Sequence, residues 1–150
     1  MENQKVIFAP ASWALFFARI ILGLLFLMTG WFKVFGMGAM AHARQLFVEA
    51  YADNWIPEWL LWFTGFVIPY LEVAAGILLV IGLRTKTAAI TVGFILVLVT
   101  YGHLLQEPFF DITTHILPRT LLLLFVLFFI EKDTLSIDYF INKRKKKSNN

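Results

Sequence analysis

Four long runs of apolar residues, separated by short polar links, dominate the pattern of the chain. They cover about 12–35, 59–83, 87–105 and 112–130. Each run has the roughly 20 residues that an α-helix needs to cross about 30 Å of hydrocarbon. Backbone groups in lipid must be satisfied within the segment, so the runs predict helices and not strands. The pattern therefore predicts an all-α fold, a bundle of four transmembrane helices that forms one domain over residues 1–142.

The link between the first two runs carries a helical pattern of its own. Within Ala41–Ala52, the residues Leu46, Phe47, Ala50 and Tyr51 recur near one face, while the charged residues fall elsewhere. This pattern predicts a short interfacial helix in the first outer loop, lying on the bundle or on the membrane surface.

Glycine and proline positions add detail to the predicted bundle. Gly23, Gly30, Gly36 and Gly38 lack side chains, and we expect them to permit close approach between helices. Pro69 lies inside the second run, where its missing N–H is expected to kink the helix.

Composition and charge support a membrane protein and orient it. The chain is 59% hydrophobic and 15% charged, which is less polar than a soluble domain of this length requires. Lys5, Arg84, Lys86 and the basic tail 143–150 fall on the same side of a four-span bundle. By the positive-inside rule we expect both termini in the cytoplasm. We also expect the membrane to be the inner cell membrane of a prokaryote. The tail is interpreted as a topology or anionic-lipid signal and not as a nucleic-acid site.

The sequence excludes several kinds of chemistry. It contains no cysteine, which rules out disulfides, thiolate catalysis and Cys-ligated metal centres. It also lacks an HExxH motif, a glycine-rich phosphate loop and a Ser-His-Asp constellation. We therefore predict no metal site and no covalently bound cofactor.

Ionisable residues within the apolar runs are the strongest functional signal. A charge near the bilayer centre costs at least about 2.5–3.5 kcal/mol, so such residues face the bundle interior, pair with one another or serve a site. These residues are Arg19, Lys33, Glu72, His103, His115 and Arg119.

The depth of Arg19 and Glu72 suggests an ion pair between the first two helices. At a rise of 1.5 Å per residue, Arg19 lies roughly 10 Å and Glu72 about 16 Å from the inner ends of their runs. A long arginine side chain spans that difference, so we predict an Arg19–Glu72 contact. The pair would either serve a site or fix the helix register, and the sequence leaves both open.

A second group of polar residues is predicted at the outer mouth of the bundle. Lys33 and His103 lie near the ends of their runs, while His115 and Arg119 share one face at the start of the fourth. Taken singly, each is explained by snorkelling or by interfacial hydrogen bonding. Taken together, they favour a binding pocket above the buried carboxylate.

Two stretches of the sequence resemble a known family. The Gly-Trp-Phe-Lys stretch at 30–33 and the stretch LEVAAGILLVIG at 71–82, with Arg19 before them and His103 after, resemble the DoxX family of small four-span membrane proteins. The resemblance implies a role in quinone-linked oxidoreduction. The family is named after a terminal quinol oxidase subunit, and DoxD-type relatives belong to thiosulfate:quinone oxidoreductases. The matched polar positions are Arg19, Lys33, Glu72 and His103.

We therefore expect a quinone-linked oxidoreductase, or a subunit of one. Glu72 and His103 are the expected catalytic residues, because a carboxylate and an imidazole can relay protons to a quinone. The expected binding residues are Arg19, Lys33, Trp31, Trp62, His115 and Arg119, and Phe32 is expected beside the ring. A small anion such as thiosulfate, attracted by the cations, is the alternative substrate.

Other interpretations remain open at this stage. The sequence contains no evident redox centre, so electrons would pass directly between substrates or come from a partner subunit. The chain would otherwise be a non-enzymatic scaffold or accessory subunit that recruits a redox partner, or a homo-oligomer in the bilayer. A small-solute transporter is less favoured, since no broken and repeated helix pair is present.

Overall fold

The computed structural model describes residues 9–107 and 112–148, and four long helices dominate it. These helices are α1 (Pro10–Trp31, continued by a π-helical turn over Phe32–Gly36), α3 (Glu58–Ile81), α4 (Thr85–Gln106) and α5 (Ile112–Phe129). All four are long and apolar enough to cross a membrane. The predicted all-α, four-span fold is confirmed, and the predicted ends lie within about two residues of the observed ones. Lys5 and the last two tail residues lie outside the described part.

Two shorter helices close the ends of the bundle. Helix α2 (Ala39–Ala43) runs on into a π-helical turn over Arg44–Glu49, and α6 (Ile137–Ser148) follows a 3-10 turn after α5. We call the end that holds residues 37–57 the loop end. The opposite end, which holds the link 82–84 and residues 130–148, is the tail end.

The helix predicted in the first outer loop is present, and of the four apolar residues placed on one face, Tyr51 is buried and Phe47 is half-buried. Leu46 is 47% exposed and Ala50 is also exposed, whereas His42 and Ala43 are buried. Residues 44–49 form a π-helical turn, in which hydrogen bonds between residues i and i+5 wind more residues into each turn than an α-helix has.

The core lies between the four long helices. The most extensive contact joins α1 to α3, while α4 packs against α3 and α5, and α5 returns beside α1. The large buried side chains include Leu15, Leu22, Phe26, Leu79, Val92 and Val126. Phe94 and Phe128 point outward, 73% and 82% exposed, as expected of surfaces that face lipid.

Glycines set the close approach of α1 and α3. A Cβ added at Gly76 would lie 2.5 Å from the backbone nitrogen of Leu27, and one at Gly23 would lie 3.0 Å from the Gly76 carbonyl oxygen. The predicted role of Gly23 and Gly30 in close packing is confirmed. The same prediction is wrong for Gly36 and Gly38. A Cβ added at Gly36 would contact only the Phe32 ring of the same helix segment, and one at Gly38 would contact nothing within 4 Å. The φ of +89° at Gly38 favours glycine instead.

Gly76→Ala should destabilise the bundle, because the new methyl group meets backbone atoms of α1 that cannot move alone. We expect a loss of about 1–3 kcal/mol, typical of an overpacked core. Gly93→Ala is the matched control, since its Cβ would make an ordinary contact 3.4 Å from Leu123. Unfolding in mixed micelles, followed by circular dichroism, measures both. Equal stability of the two variants would contradict the tight crossing.

Candidate functional site

Arg19 lies at the tail end and does not pair with Glu72, so the predicted Arg19–Glu72 contact is wrong. Its Nε lies 3.0 Å from Oδ2 of Asp133, and its guanidinium donates hydrogen bonds to the backbone carbonyls of Leu79 and Leu135. The residue is 1% exposed. Carbonyls at the C-terminus of α3 carry partial negative charge, which favours a cation there. Arg19 thus joins α1, α3 and the segment after α5.

Glu72 pairs instead with Lys33, near the loop end. Nζ of Lys33 lies 2.8 Å from each carboxylate oxygen, and the Glu72 side chain is 5% exposed. The absent side chain of Gly30 makes room for Glu72, because a Cβ there would lie 2.8 Å from the Glu72 Cβ. An ammonium group has three N–H donors. Since two of them point to the carboxylate, one remains for another partner.

His42 is a buried residue of this region that the sequence analysis did not propose for the site. It is 2% exposed, and its Nδ1–H donates a 2.8 Å hydrogen bond to the carbonyl oxygen of Gly65. That carbonyl lacks a partner within α3 because Pro69, four residues later, has no N–H. Gly65 also lets α2 approach, since a Cβ there would lie 2.8 Å from the Cα of Ala43. An orphaned carbonyl before Pro69 was the signal that a donor must lie nearby.

The stability of the fold should depend on pH through His42. Burial lowers the pKa of His42 below its ordinary value, the hydrogen bond to Gly65 acts in the opposite direction, and Lys33 lowers it further. The unfolded chain therefore takes up a proton before the folded protein does. Stability should be level above about pH 6.5 and fall as the pH drops below it.

Apparent unfolding temperatures of the wild type and of His42→Gln, measured between pH 8 and pH 5, test this dependence. Glutamine keeps a donor for the Gly65 carbonyl but does not titrate, so the decline should shrink in this variant. His115→Gln, which removes an exposed histidine of α5, is the control. An unchanged decline in His42→Gln would assign the pH dependence to another group.

A cavity of about 280 Å³ opens beside Lys33 at the loop end. Its lining includes Lys33, His42, Leu46, Phe47, Ala50, Tyr51, Ile68, Leu98, Val99, Gly102, His103 and Gln106. Burial raises the pKa of Tyr51, which keeps its hydroxyl protonated. A Cβ added at Gly102 would lie 2.7 Å from that hydroxyl, so glycine is what allows Tyr51 to pack there. The cavity is apolar apart from a few polar groups that converge on it.

A second, smaller groove adjoins this cavity. It has a volume of about 120 Å³ and shares Phe47, Tyr51, Leu98 and Gly102 with the cavity. Its other lining residues lie mainly on α3 and in the loop before it: the apolar Ile56, Leu60 and Leu61, and the hydroxyl-bearing Thr64 and Tyr101. The two spaces together offer a polar end and an apolar end.

The structure brings together some of the predicted residues and separates others. Lys33 and His103 line the cavity, His115 lies within electrostatic range of His103, and Arg119 lies within range of Glu72. Arg19 is 14 residues before Lys33 on one helix, or about 21 Å along its axis.

The two tryptophans expected beside the ring lie away from the cavity. Trp31 is 52% exposed and packs against Phe35 at a tilt, with 4.3 Å between ring centroids. Trp62 donates a 3.2 Å hydrogen bond from Nε1 to Glu58. Phe32, also expected at the ring, is 61% exposed. None of these three lines the cavity.

Within residues 9–107 and 112–148, no group of three or more His, Asp or Glu side chains is placed to hold a metal ion.

The sequence matches the family model of DoxX over residues 14–104, more than half of the chain. The chain belongs to the DoxX family. Together with its four apolar helices, this membership makes it a multi-pass membrane protein.

The DoxX match contains the residues of the candidate site. Lys33, His42, Glu72 and His103 all fall inside it, whereas α5 with His115 and Arg119 lies beyond its end. No match was found among curated proteins or among solved structures. The match therefore covers these four residues, and the contribution of α5 is argued from this chain alone.

Proposed function

We propose that this DoxX-family protein is a quinone-linked oxidoreductase, or the quinone-binding subunit of one, with the quinone ring in the cavity beside Lys33. The observation that carries the proposal is the position of Lys33, which lines a largely apolar cavity and has one N–H donor beyond the two that its contacts with Glu72 use. A quinone carbonyl accepts such a hydrogen bond. An apolar pocket with few polar groups suits its ring, and the adjoining groove suits an apolar tail.

The residues around the cavity also suit the reduction of a quinone. Conversion to a quinol adds two electrons and two protons to the ring. Lys33 would stabilise negative charge on the carbonyl oxygen as electrons arrive. His103 and Glu72 remain our proposed proton-relay residues. His42 joins them, because its Nε2 is an acceptor when Nδ1–H is bound to Gly65.

The electrons would come from a small reductant such as thiosulfate, or from a partner subunit in the membrane. The cavity itself favours a quinone over an anion, because Glu72 offsets the charge of Lys33 at 2.8 Å. Arg119, which is partly exposed on α5, is the better candidate for an anionic donor.

Photolabelling with an azidoquinone tests the proposed site. The protein in nanodiscs is illuminated with the probe, with and without excess unlabelled short-chain quinone, and labelled peptides are identified by mass spectrometry. We expect saturable labelling of peptides that contain cavity residues such as Tyr51 and Leu98. The double variant Lys33→Met/Glu72→Gln removes the donor and leaves no unpaired charge, so labelling should fall.

The matched control is Arg44→Met/Glu49→Gln, which removes an exposed ion pair at the same end of the bundle. Its labelling should equal that of the wild type. Uniform labelling that excess quinone does not reduce would contradict the proposed site.

A second candidate function is supported by the Lys33–Glu72 pair itself. Both carboxylate oxygens are already satisfied, as expected of a pair that holds two helices together. In that case the protein is an accessory subunit that recruits a redox partner through its surface. It would then show no saturable quinone labelling, and the partner would co-purify equally well with wild type and with Lys33→Met/Glu72→Gln.

The orientation is part of the same proposal. We place the loop end, with the cavity, outside the cytoplasm and the basic tail end inside, in the cell membrane of a prokaryote. The chain has no cysteine, so single cysteines report its topology directly. An impermeant maleimide should label Asp53→Cys on intact cells and should leave Ser148→Cys unlabelled. The opposite pattern would reverse the orientation.

A further inference from the structure

Helix α6 carries an apolar stripe that the rest of the bundle leaves uncovered. Ile137, Phe140 and Ile141 are 42%, 49% and 39% exposed. Their spacing of three and four residues places them on one side of the helix. An exposed apolar stripe on a helix normally has an apolar environment of its own.

The first turn of α6 is fixed to the bundle. The Asp138 carboxylate accepts hydrogen bonds of 2.8 Å from the backbone N–H groups of Arg84 and Thr85, at the start of α4. The Asp138 N–H donates in turn to the Gly82 carbonyl, at 3.0 Å. These bonds hold the start of α6 beside α4, and the exposure of Ile137, Phe140 and Ile141 shows that the stripe faces away from the bundle.

The second half of α6 is strongly basic. Residues 143–147 are five consecutive cations, all exposed, which occupy every side of the helix. The helix starts eight residues after α5 ends, and its first turn bonds to the start of α4. A helix with an apolar stripe and many lysines suits the boundary between headgroups and acyl chains. Anionic headgroups attract such a cluster.

From this combination we propose that α6 lies in the surface of the bilayer that the protein spans. Its apolar stripe enters the acyl boundary, and the cations at 143–147 bind the phosphates of anionic phospholipids. Two of these basic runs would repel each other in a contact between copies. A nucleic acid would neutralise the cations but leave the apolar stripe in water. The lipid surface satisfies both parts of the helix.

Site-specific fluorescence on the full chain tests the proposal. Ile141→Cys and Asn142→Cys each carry one environment-sensitive fluorophore, and Asn142 lines a cleft against the bundle on the other side of α6. The nanodiscs contain phosphatidylcholine alone, or equal parts of phosphatidylcholine and phosphatidylglycerol. Lipids spin-labelled near the headgroup should quench the probe at 141 several-fold more than the probe at 142, and most strongly in the anionic discs.

Two changes isolate the role of charge. High salt, or glutamine at all five positions 143–147, should reduce quenching at 141 to the level seen in phosphatidylcholine. Thermal unfolding of the glutamine variant checks that the bundle remains folded.

Three outcomes would overturn the proposal. Equal quenching of the probes at 141 and 142 in all lipids would show that the apolar stripe does not enter the acyl boundary. Quenching that changes with the number of protein copies per disc would indicate a contact between copies. A short RNA or DNA duplex could also be added at a salt concentration where the lipids alone still quench the probe. Loss of quenching on its addition would indicate that the basic run binds nucleic acid.

Discussion

Arg19→Met should be among the most damaging single substitutions in this protein, with a loss of about 3–5 kcal/mol in the free energy of unfolding. The guanidinium is 1% exposed and pairs with Asp133 at 3.0 Å. Its removal leaves a buried carboxylate without a cation and leaves the carbonyls of Leu79 and Leu135 without a donor. Titration with SDS in mixed micelles, followed by circular dichroism, measures the loss.

Arg44→Met is the control for that experiment, because it also breaks an arginine–carboxylate pair. Arg44 and Glu49 are 2.8 Å apart, but their side chains are 69% and 53% exposed. Such a pair contributes about 0–1 kcal/mol. Removing both charges of the buried pair, in Arg19→Met/Asp133→Leu, should recover part of the stability. Losses of equal size in Arg19→Met and Arg44→Met would show that Arg19 does not hold the tail end.

Lys33→Met should destabilise the protein by a similar amount, about 3–5 kcal/mol, because it leaves Glu72 buried without its cation. Glu72→Gln should cost less. Lys33 is 20% exposed, and once released its flexible chain can turn its ammonium group toward the surface. The double variant Lys33→Met/Glu72→Gln should unfold close to the wild type, since no charge is left unpaired. The same SDS titration compares all three.

The order of these losses distinguishes a buried pair from two independent residues. If Glu72→Gln proved more harmful than Lys33→Met, Glu72 would have a structural partner besides Lys33. If the double variant lost as much as the two single variants added together, the residues would not be coupled. The stable double variant is also the one needed for quinone labelling, where a loss of binding must not reflect a loss of fold.

Hydropathy was sufficient for the number, length and type of the membrane helices. Each apolar run is long enough to span the bilayer, and a helix is the way a single run satisfies its backbone there. The close approach of α1 and α3 at Gly23 and Gly30 was also predictable, since small residues serve that purpose in membranes. These properties depend on local composition and not on which helices become neighbours.

The partner of Arg19 was not predictable by the same route. The depth estimate assumed that the inner ends of the first two runs lie at the same level. In the structure, Arg19 reaches the link after α3. A Cβ built on Gly82 would lie only 2.8 Å from Nη1 of Arg19. The helices are therefore offset along their axes, and Glu72 lies opposite Gly30 instead. Asp133 was missed because it belongs to a segment beyond the last span that folds back on the bundle.

His42 illustrates a different limit. It lies within the helical pattern predicted over 41–52, but that pattern did not single it out as a residue of the site. Only the vacant hydrogen-bond position at Gly65, created by Pro69, hinted that a donor was required. Such a hint names the acceptor but not the residue that satisfies it.

The sequence by itself determined that this is a four-span membrane protein of a recognisable family, with costly polar groups at Arg19, Lys33, Glu72 and His103. Those conclusions follow from hydrophobicity and from the expense of burying charge, which act residue by residue. The tertiary structure decided which charges pair, that Arg19 serves the tail end, and that Lys33 meets His42 and His103 around one cavity. Pairing depends on the offset and rotation of helices against each other, which arise from side-chain packing across the whole bundle.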